Sequence, residues 1–357
     1  MKIRGAAIFV DKDSRLNDLL ARLDTALEEV SRKHNLQVLT KRITLPFIGS
    51  VDEAKSMLKV IEPIARRRGY VYAGLNLMNP LDPSVVAGLM SEYGNTYASI
   101  WMPEYSDDIA QFYVSLLREI ARRNPLDARR VAVLVGDLIE TPYFPASINV
   151  KGGEGFSIAL LYPGDLNVGL KELYGRIREV ILRGSEFGEE VAERVNVEYR
   201  GVDASLSPWG SESVVGVVEG VFSVRFGYPG TMAAIGTLNR FIAEVPALKT
   251  GFNEVMLPLA EDEKLKLRFI EGYVDLGKLA SYLQVCVAGV DMVPIPVGEL
   301  DLVKNLLMDL SELARAKGRP IGLRLIPSTS HTVSFKDFGE APTISLVTGR
   351  PIGPRPQ

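Results

Sequence analysis

Along this chain, continuous apolar runs of strand length alternate with stretches whose apolar residues recur every three or four positions. IRGAAIFV is the first apolar run, and after Ser14 the residues Leu16, Leu19, Leu20, Leu23, Leu27 and Val30 fall on one helical face. LQVLTKRITL predicts the next strand. Ser50 and Glu53 stand at capping-box spacing ahead of Ala54, Met57, Leu58, Ile61 and Ile64, which predicts a second amphipathic helix. The strand YVYAGLNLM, a short helix over 85–93, the strand YASIWM, a helix over 107–123 and the strand RRVAVLVGD follow. This rhythm predicts parallel strands joined by helical crossovers.

At 138–155 the sequence LIETPYFPASINVKGGEG breaks the rhythm. It is too long for a turn, so it is either a functional loop over the sheet mouth or a seam between two halves. Beyond it the pattern predicts a strand at FSIALLY, helices over 169–183 and 186–194, a strand at VNVEYRGVDASL, helices over 214–222 and 231–245, a strand-like NEVMLPL, and mixed helix and turn over 261–283. A helix over 299–317, the strand IGLRLIP and a polar tail complete the chain. SYLQVCVAGVDMVPIP, at 281–296, is valine-rich and bounded by proline, as a central strand buried on both faces would be, although periodicity alone fits a buried helix turn as well. The length leaves one large α/β domain over 1–357, or two fused halves of about 1–150 and 151–357, as the expected organisation.

Composition narrows the function classes. A net charge of -3 and a pI near 5.7 leave no basic excess for phosphate backbones, so nucleic acid is not an expected partner. The single cysteine, Cys286, cannot form an internal disulfide, and no run approaches the length of a membrane span. The N-terminal apolar stretch is too short for a signal peptide, which makes a cytoplasmic location the expectation. Glutamine is scarce beside arginine, glutamate and proline, a weak sign of a thermophilic source.

Candidate chemistry lies where charges interrupt apolar strands: Asp203, Asp291 and Arg324. Buried charges are usually paired, so one reading is a structural ion pair. The other is a site at the carboxyl ends of the strands, in which Arg324 clamps a ligand carboxylate or phosphate while Asp203 and Asp291 bind a metal or act as acid and base. The loop SPWGSES leaves a strand and opens a helix, the order an anion-binding loop requires, although serine capping explains it equally well. Ser205, Ser207, Ser211 and Ser213, with Thr231 and Glu140, are therefore the ligand-binding candidates, Glu140 being more readily a solvent-facing loop acid. The glycines of KGGEG precede a strand and read as a turn. EDEK, at 261–264, reads as a solvated helix start. His34 and His331 lie far from Cys286 in sequence, in a surface helix and a polar tail, so a buried inert thiol is the simpler reading.

KRITLPFIG, VEYRGVDASLSPW, GTMAAIGTLN, LPLAEDE, CVAGVDMVPIP, LRLIP and FGEAPTISL, in this order over most of the chain, resemble the family called domain of unknown function 711, uncharacterised "PFL family" proteins. The resemblance implies a ten-stranded α/β barrel of two parallel halves, as in the pyruvate formate-lyase-like glycyl radical enzymes, and it suggests a homodimer. It does not imply radical chemistry, because the tail SLVTGRPIGP lacks the radical-glycine motif and Cys286 lies in a strand-like run. Two readings stay open. One is an enzyme-like barrel that binds a small anionic metabolite and performs non-radical acid–base or metal-assisted chemistry; the other is a non-catalytic ligand-binding or regulatory protein. The cofactor is open in both.

Overall fold

Local chemistry sets the first elements. In the computed structural model, which describes residues 1–12, 14–287 and 290–353, the Ser50 hydroxyl accepts from the Glu53 amide at 3.2 Å, and the Glu53 carboxylate reaches back to the Gly49 amide at 2.7 Å. That cap starts α2 (Val51–Arg68), and Gly69 in the left-handed conformation ends it. The same strand–helix unit repeats through β1 (Lys2–Phe9), α1 (Leu16–His34), β2 (Lys41–Thr44), β3 (Tyr70–Leu77), α3 (Pro83–Glu92), β4 (Thr96–Met102), α4 (Asp107–Arg123) and β5 (Val131–Val135). Strands β1 to β5 are parallel in chain order, the arrangement that helical crossovers enforce.

The second half adds strands to both edges. β6 (Gly155–Leu161) joins β1 antiparallel, and β7 (Glu198–Asp203) joins β6 parallel after α5 (Leu170–Val195). Three further pairs of helices and strands follow: α6 (Val214–Phe222) and α7 (Thr231–Glu244), α8 (Glu263–Ile270) and α9 (Leu276–Tyr282), then β8 (Val293–Pro296) and α10 (Val303–Lys317). β9 (Ile321–Leu323) closes the other edge antiparallel to β5. The result is an eight-stranded, mostly parallel sheet, ordered β7-β6-β1-β2-β3-β4-β5-β9, curled into a half-barrel. Its main sheet thus has eight strands where ten were expected. β8 pairs instead with β10 (Leu325–Ser328), and β11 (Thr332–Phe335) with β12 (Gly339–Pro342), in two small separate sheets.

Two elements depart from the periodicity for local reasons. Only the last four residues of 281–296 form a strand: Ser281 and Tyr282 end α9, Met292 takes a left-handed φ of 52° that stops extended pairing, and positions 288–289 lie outside the described residues. The stretch is therefore no central strand. The two helices expected over 169–194 are one, because Gly184 is a packing device: a Cβ there would meet Leu160 at 2.7 Å, so the missing side chain lets α5 lie close on β6.

Along β5 the side chains alternate between two cores. Val131, Val133 and Val135 join the large core, which takes in the inward faces of α1, α2, α4 and α5, while Leu134 joins a smaller one with Tyr143, Ala146, Phe252 and Met256. The smaller core shows where the segment 138–154 goes. It is largely buried on the concave face, with Thr44 and Ser147 hydroxyls 2.7 Å apart and the Asn149 amide bonded to the Leu45 carbonyl at 3.0 Å. It lies within the concave face rather than over the mouth from outside.

Candidate functional site

Arginines on β1 and β2 open the site. Arg4 and Arg42 point into the concave face, where a cavity of about 220 Å³ lies between the sheet, the buried segment 143–146, Trp209 and the β11–β12 turn. Val71, Tyr97 and Ala132 contribute from the first residues of β3, β4 and β5. The cavity therefore lies at the amino ends of the parallel strands, not at their carboxyl ends as expected. The antiparallel return explains this: the loop leaving β7 and the end of β9 reach the sheet from the opposite direction and bring their own groups to that end.

Those groups form a charged lattice. Arg4 donates to Glu261 Oε2 at 2.5 Å and to the Pro208 carbonyl at 2.5 Å, and its guanidinium lies 4.9 Å from the Trp209 ring centre. Arg324, between β9 and β10, donates to Glu261 Oε1 at 2.9 Å and grips Asp291 through two bonds, Nε to Oδ1 at 2.6 Å and Nη2 to Oδ2 at 2.8 Å. Glu261 is 4% exposed and bridges the two arginines. Burial alone would raise its pKa, but the guanidiniums of Arg324 and Arg4 outweigh that and hold it below the ordinary carboxylate range.

Arg42 stands apart. It is 6% exposed and donates from Nε to the Thr40 hydroxyl at 2.9 Å and from Nη1 to the Pro142 carbonyl at 2.6 Å, with the Phe144 ring centre 5.3 Å from its Cζ. Among the described residues it has no carboxylate partner, and its Nη2 makes no hydrogen bond. Burial, with repulsion from Arg4, pulls its pKa down to about 10. Three inward guanidiniums, those of Arg4, Arg42 and Arg324, thus face two carboxylates, Glu261 and Asp291. Arg129, Lys336 and Asp337 line the exposed rim.

The expected residues divide. Asp291 and Arg324 come together as a direct pair, whereas Asp203 lies elsewhere at the end of β7, fully buried, with no cation. Its carboxylate accepts from the Thr141 and Ser205 hydroxyls at 2.9 and 2.6 Å and from the Ser205, Phe252 and Asn253 amides. Burial raises its pKa, and these donors offset part of the rise. Asp203 and Asp291 do not share a metal site, and among the described residues no group of three or more His, Cys, Asp or Glu side chains is placed to hold a metal.

The hydroxyls are mostly structural. Ser207 lines the cavity and bonds to Tyr143, at 2.9 Å. Ser213 caps α6 and donates to Asp262 at 2.6 Å, Thr231 donates to the Tyr228 carbonyl at 2.9 Å, and Ser211 is exposed. SPWGSES therefore joins the wall through Ser207 and Trp209, while Ser213 serves as a cap and Ser211 faces solvent. Glu140 is buried and paired with Arg200 at 2.9 Å, outside the cavity and away from solvent. EDEK is no solvated helix start: Glu261 and Asp262 are buried, the latter bonding amides at the starts of both α6 and α8. Cys286 is buried off the cavity, and burial pushes its thiol up to about 12.

Arg4, Arg42, Tyr97 and Glu261 went unrecognised as site residues, although the rule that flagged Asp291 also fits Arg4 in IRGAAIFV and Arg42 in LTKRITL.

The fold and site define an α/β half-barrel with a charged internal cavity. The chain belongs to the family described as "Uncharacterised ACR (DUF711)", whose model matches residues 105–334. It is similar to a "UPF0210 protein" of Sulfurisphaera tokodaii, at 24% identity over 92% of this chain and 82% of that protein, and to one of Pyrobaculum islandicum, at 25% over 88% and 79%. A third, from Methanopyrus kandleri, is 30% identical over 45% of this chain and 38% of its own length. No helix among the described residues is long and apolar enough to cross a membrane.

Proposed function

We propose that this protein binds a small anionic metabolite in the concave cavity, with Arg42 as the charged anchor. The observation that carries this reading is the uncompensated guanidinium. Elsewhere buried arginines are matched, Arg130 with Asp127, Arg200 with Glu140 and Arg268 with Glu219. Arg42 carries the desolvation cost without a carboxylate in return, and a bound anion supplies the missing charge.

Within that reading the lattice favours a binding or regulatory role over acid–base catalysis. Both oxygens of Glu261 and both of Asp291 are engaged by Arg4 and Arg324, so neither carboxylate is free to take a proton from a ligand. The five parallel strands meeting β6 and β7 in the opposite direction support a reduced pyruvate formate-lyase-like barrel. Cys286, buried off the cavity, supports the absence of glycyl radical chemistry. A homodimer remains part of the proposal, on surfaces outside the cavity that Tyr143, Phe144 and Trp209 line.

The test is thermal unfolding of wild type and Arg42→Met in rising concentrations of small carboxylates and inorganic phosphate. A ligand that binds only the native state stabilises it by about 2.7 kcal/mol at a hundred times its Kd. Wild type should show a saturable rise and Arg42→Met none. The ligand-free variant should stay within about 1 kcal/mol of wild type, because relief of an unpaired buried charge offsets the lost bonds to Thr40 and Pro142. A severely destabilised variant beside a wild type that no anion shifts would make Arg42 a structural residue.

A further inference from the structure

We infer that the anion is a monocarboxylate with a flat apolar body, about the size of a benzoate, and that Tyr97 is the residue that selects it. This deepens the anion-site reading and rests on it. Three independent features point to the same ligand class.

The first is charge. On the buried floor, three inward guanidiniums against two carboxylates leave a surplus of one, which a monocarboxylate balances; the further positive charge of the rim, Arg129 and Lys336 against Asp337, is exposed and screened by water and salt. A phosphate monoester carries a charge of roughly -1.5 to -2 at neutral pH and would overshoot.

The second is the set of free donors. Besides Arg42 Nη2, Tyr97 lines the cavity with a hydroxyl that has no hydrogen-bond partner among the described residues. A guanidinium N–H and a phenolic O–H suit the two oxygens of one carboxylate. A phosphate site is commonly built from free backbone amides at a helix start, and here that resource is spent. α8 begins directly after the Glu261–Asp262 pair, and its Lys264 and Leu265 amides already bond to Asp262 at 3.0 and 3.1 Å.

The third is the shape and lining of the remaining space. Phe144 meets Tyr97 edge-on at 5.2 Å between ring centres, and Trp209 meets Phe338 likewise at 5.2 Å, so aromatic groups flank the charged floor on two sides. Val71 and Met292 add aliphatic surface. An apolar cavity of about 150 Å³ is enough for benzene. The 220 Å³ here therefore admits an aromatic ring with its carboxylate and is smaller than the space a drug-sized ligand or nucleotide occupies.

Isothermal titration and thermal unfolding of the full chain with benzoate, succinate, inorganic phosphate and ribose 5-phosphate, on wild type, Arg42→Met and Tyr97→Phe, test the inference. Benzoate should bind saturably and more tightly than the other three. Tyr97→Phe should weaken it about tenfold, the effect of losing one hydrogen bond to a charged group, while the ligand-free melting curve stays unchanged because the ring contact with Phe144 is kept. Arg42→Met should abolish it. Phosphate or ribose 5-phosphate binding in preference, and through Arg42, would overturn the carboxylate class while leaving the anion site standing. Equal benzoate affinity in wild type and Tyr97→Phe would remove Tyr97 from the site. If none of the four shifts wild type, both the class and the anion-site reading fall.

Discussion

Arg324 satisfies Glu261 and Asp291 together, so removing it strands Asp291 and leaves Glu261 to Arg4 alone. Arg324→Ala should cost about 3–5 kcal/mol in a denaturant titration, whereas Arg42→Met should not, and equal losses would mean that both arginines are structural. The buried acids also predict opposite responses to pH. Glu261, held low by its arginines, contributes stability that is present above the ordinary carboxylate range and is lost as pH falls through its depressed pKa. Asp203, raised by burial, contributes stability that is full below the ordinary range and is lost as pH rises through its elevated pKa. Unfolding midpoints between pH 3 and pH 7 should therefore flatten on the acid side for Glu261→Gln and on the neutral side for Asp203→Asn; the same slope change in both would contradict these assignments. Sequence reasoning found Asp291 and Arg324 because a charge in an apolar strand needs a partner. It could not say which charges would meet: Arg324 lies 33 residues from Asp291, and Arg4 lies 257 from Glu261. Asp203 obeys the same rule through hydroxyls and amides, a solution that the charge pattern does not reveal.

The elements themselves were largely legible, since the first five strands and their helices follow from apolar periodicity and capping residues that local chemistry enforces. The misreadings came from tertiary contacts. The two helices expected over 169–183 and 186–194 are one, with Gly184 in contact with β6; the valines of 281–296 looked like a strand although Met292 turns the backbone there; and IGLRLIP divides at Arg324 so that its halves join different sheets. The same kind of contact yields a prediction at β1. A Cβ at Gly5 would come within 2.5 Å of Arg42 Cζ, so glycine lets the guanidinium lie against the strand. Gly5→Ala should displace this flexible group and weaken anion binding while changing stability little, because the clash falls on the end of a side chain. Titration beside a melting curve separates these effects. A large loss of stability with unchanged affinity would show that the strand, not Arg42, yields.

Across the whole molecule, the stretches 1–150 and 151–357 are bound together by more than one seam. β6 zips onto β1 along most of its length, β9 returns from the second half to cover β5, and the segment 138–154 fills the concave face on which both halves pack. The ion lattice crosses the same division, since Arg4 from the first half and Arg324 from the second meet on Glu261. Separating the two stretches would expose two sheet edges, leave the smaller core without its partners and take Arg4 away from the buried Glu261, each a cost of several kcal/mol on the scale of a whole domain's stability. The chain should therefore unfold as one cooperative unit. Calorimetry should give a single transition with equal calorimetric and van't Hoff enthalpies, and a fragment ending near residue 150 should lack a cooperative melt even though it holds all five parallel strands. Two resolved transitions, or a fragment of that length that melts cooperatively, would show that the parallel half is a domain in its own right and that the cavity lies between two units free to move.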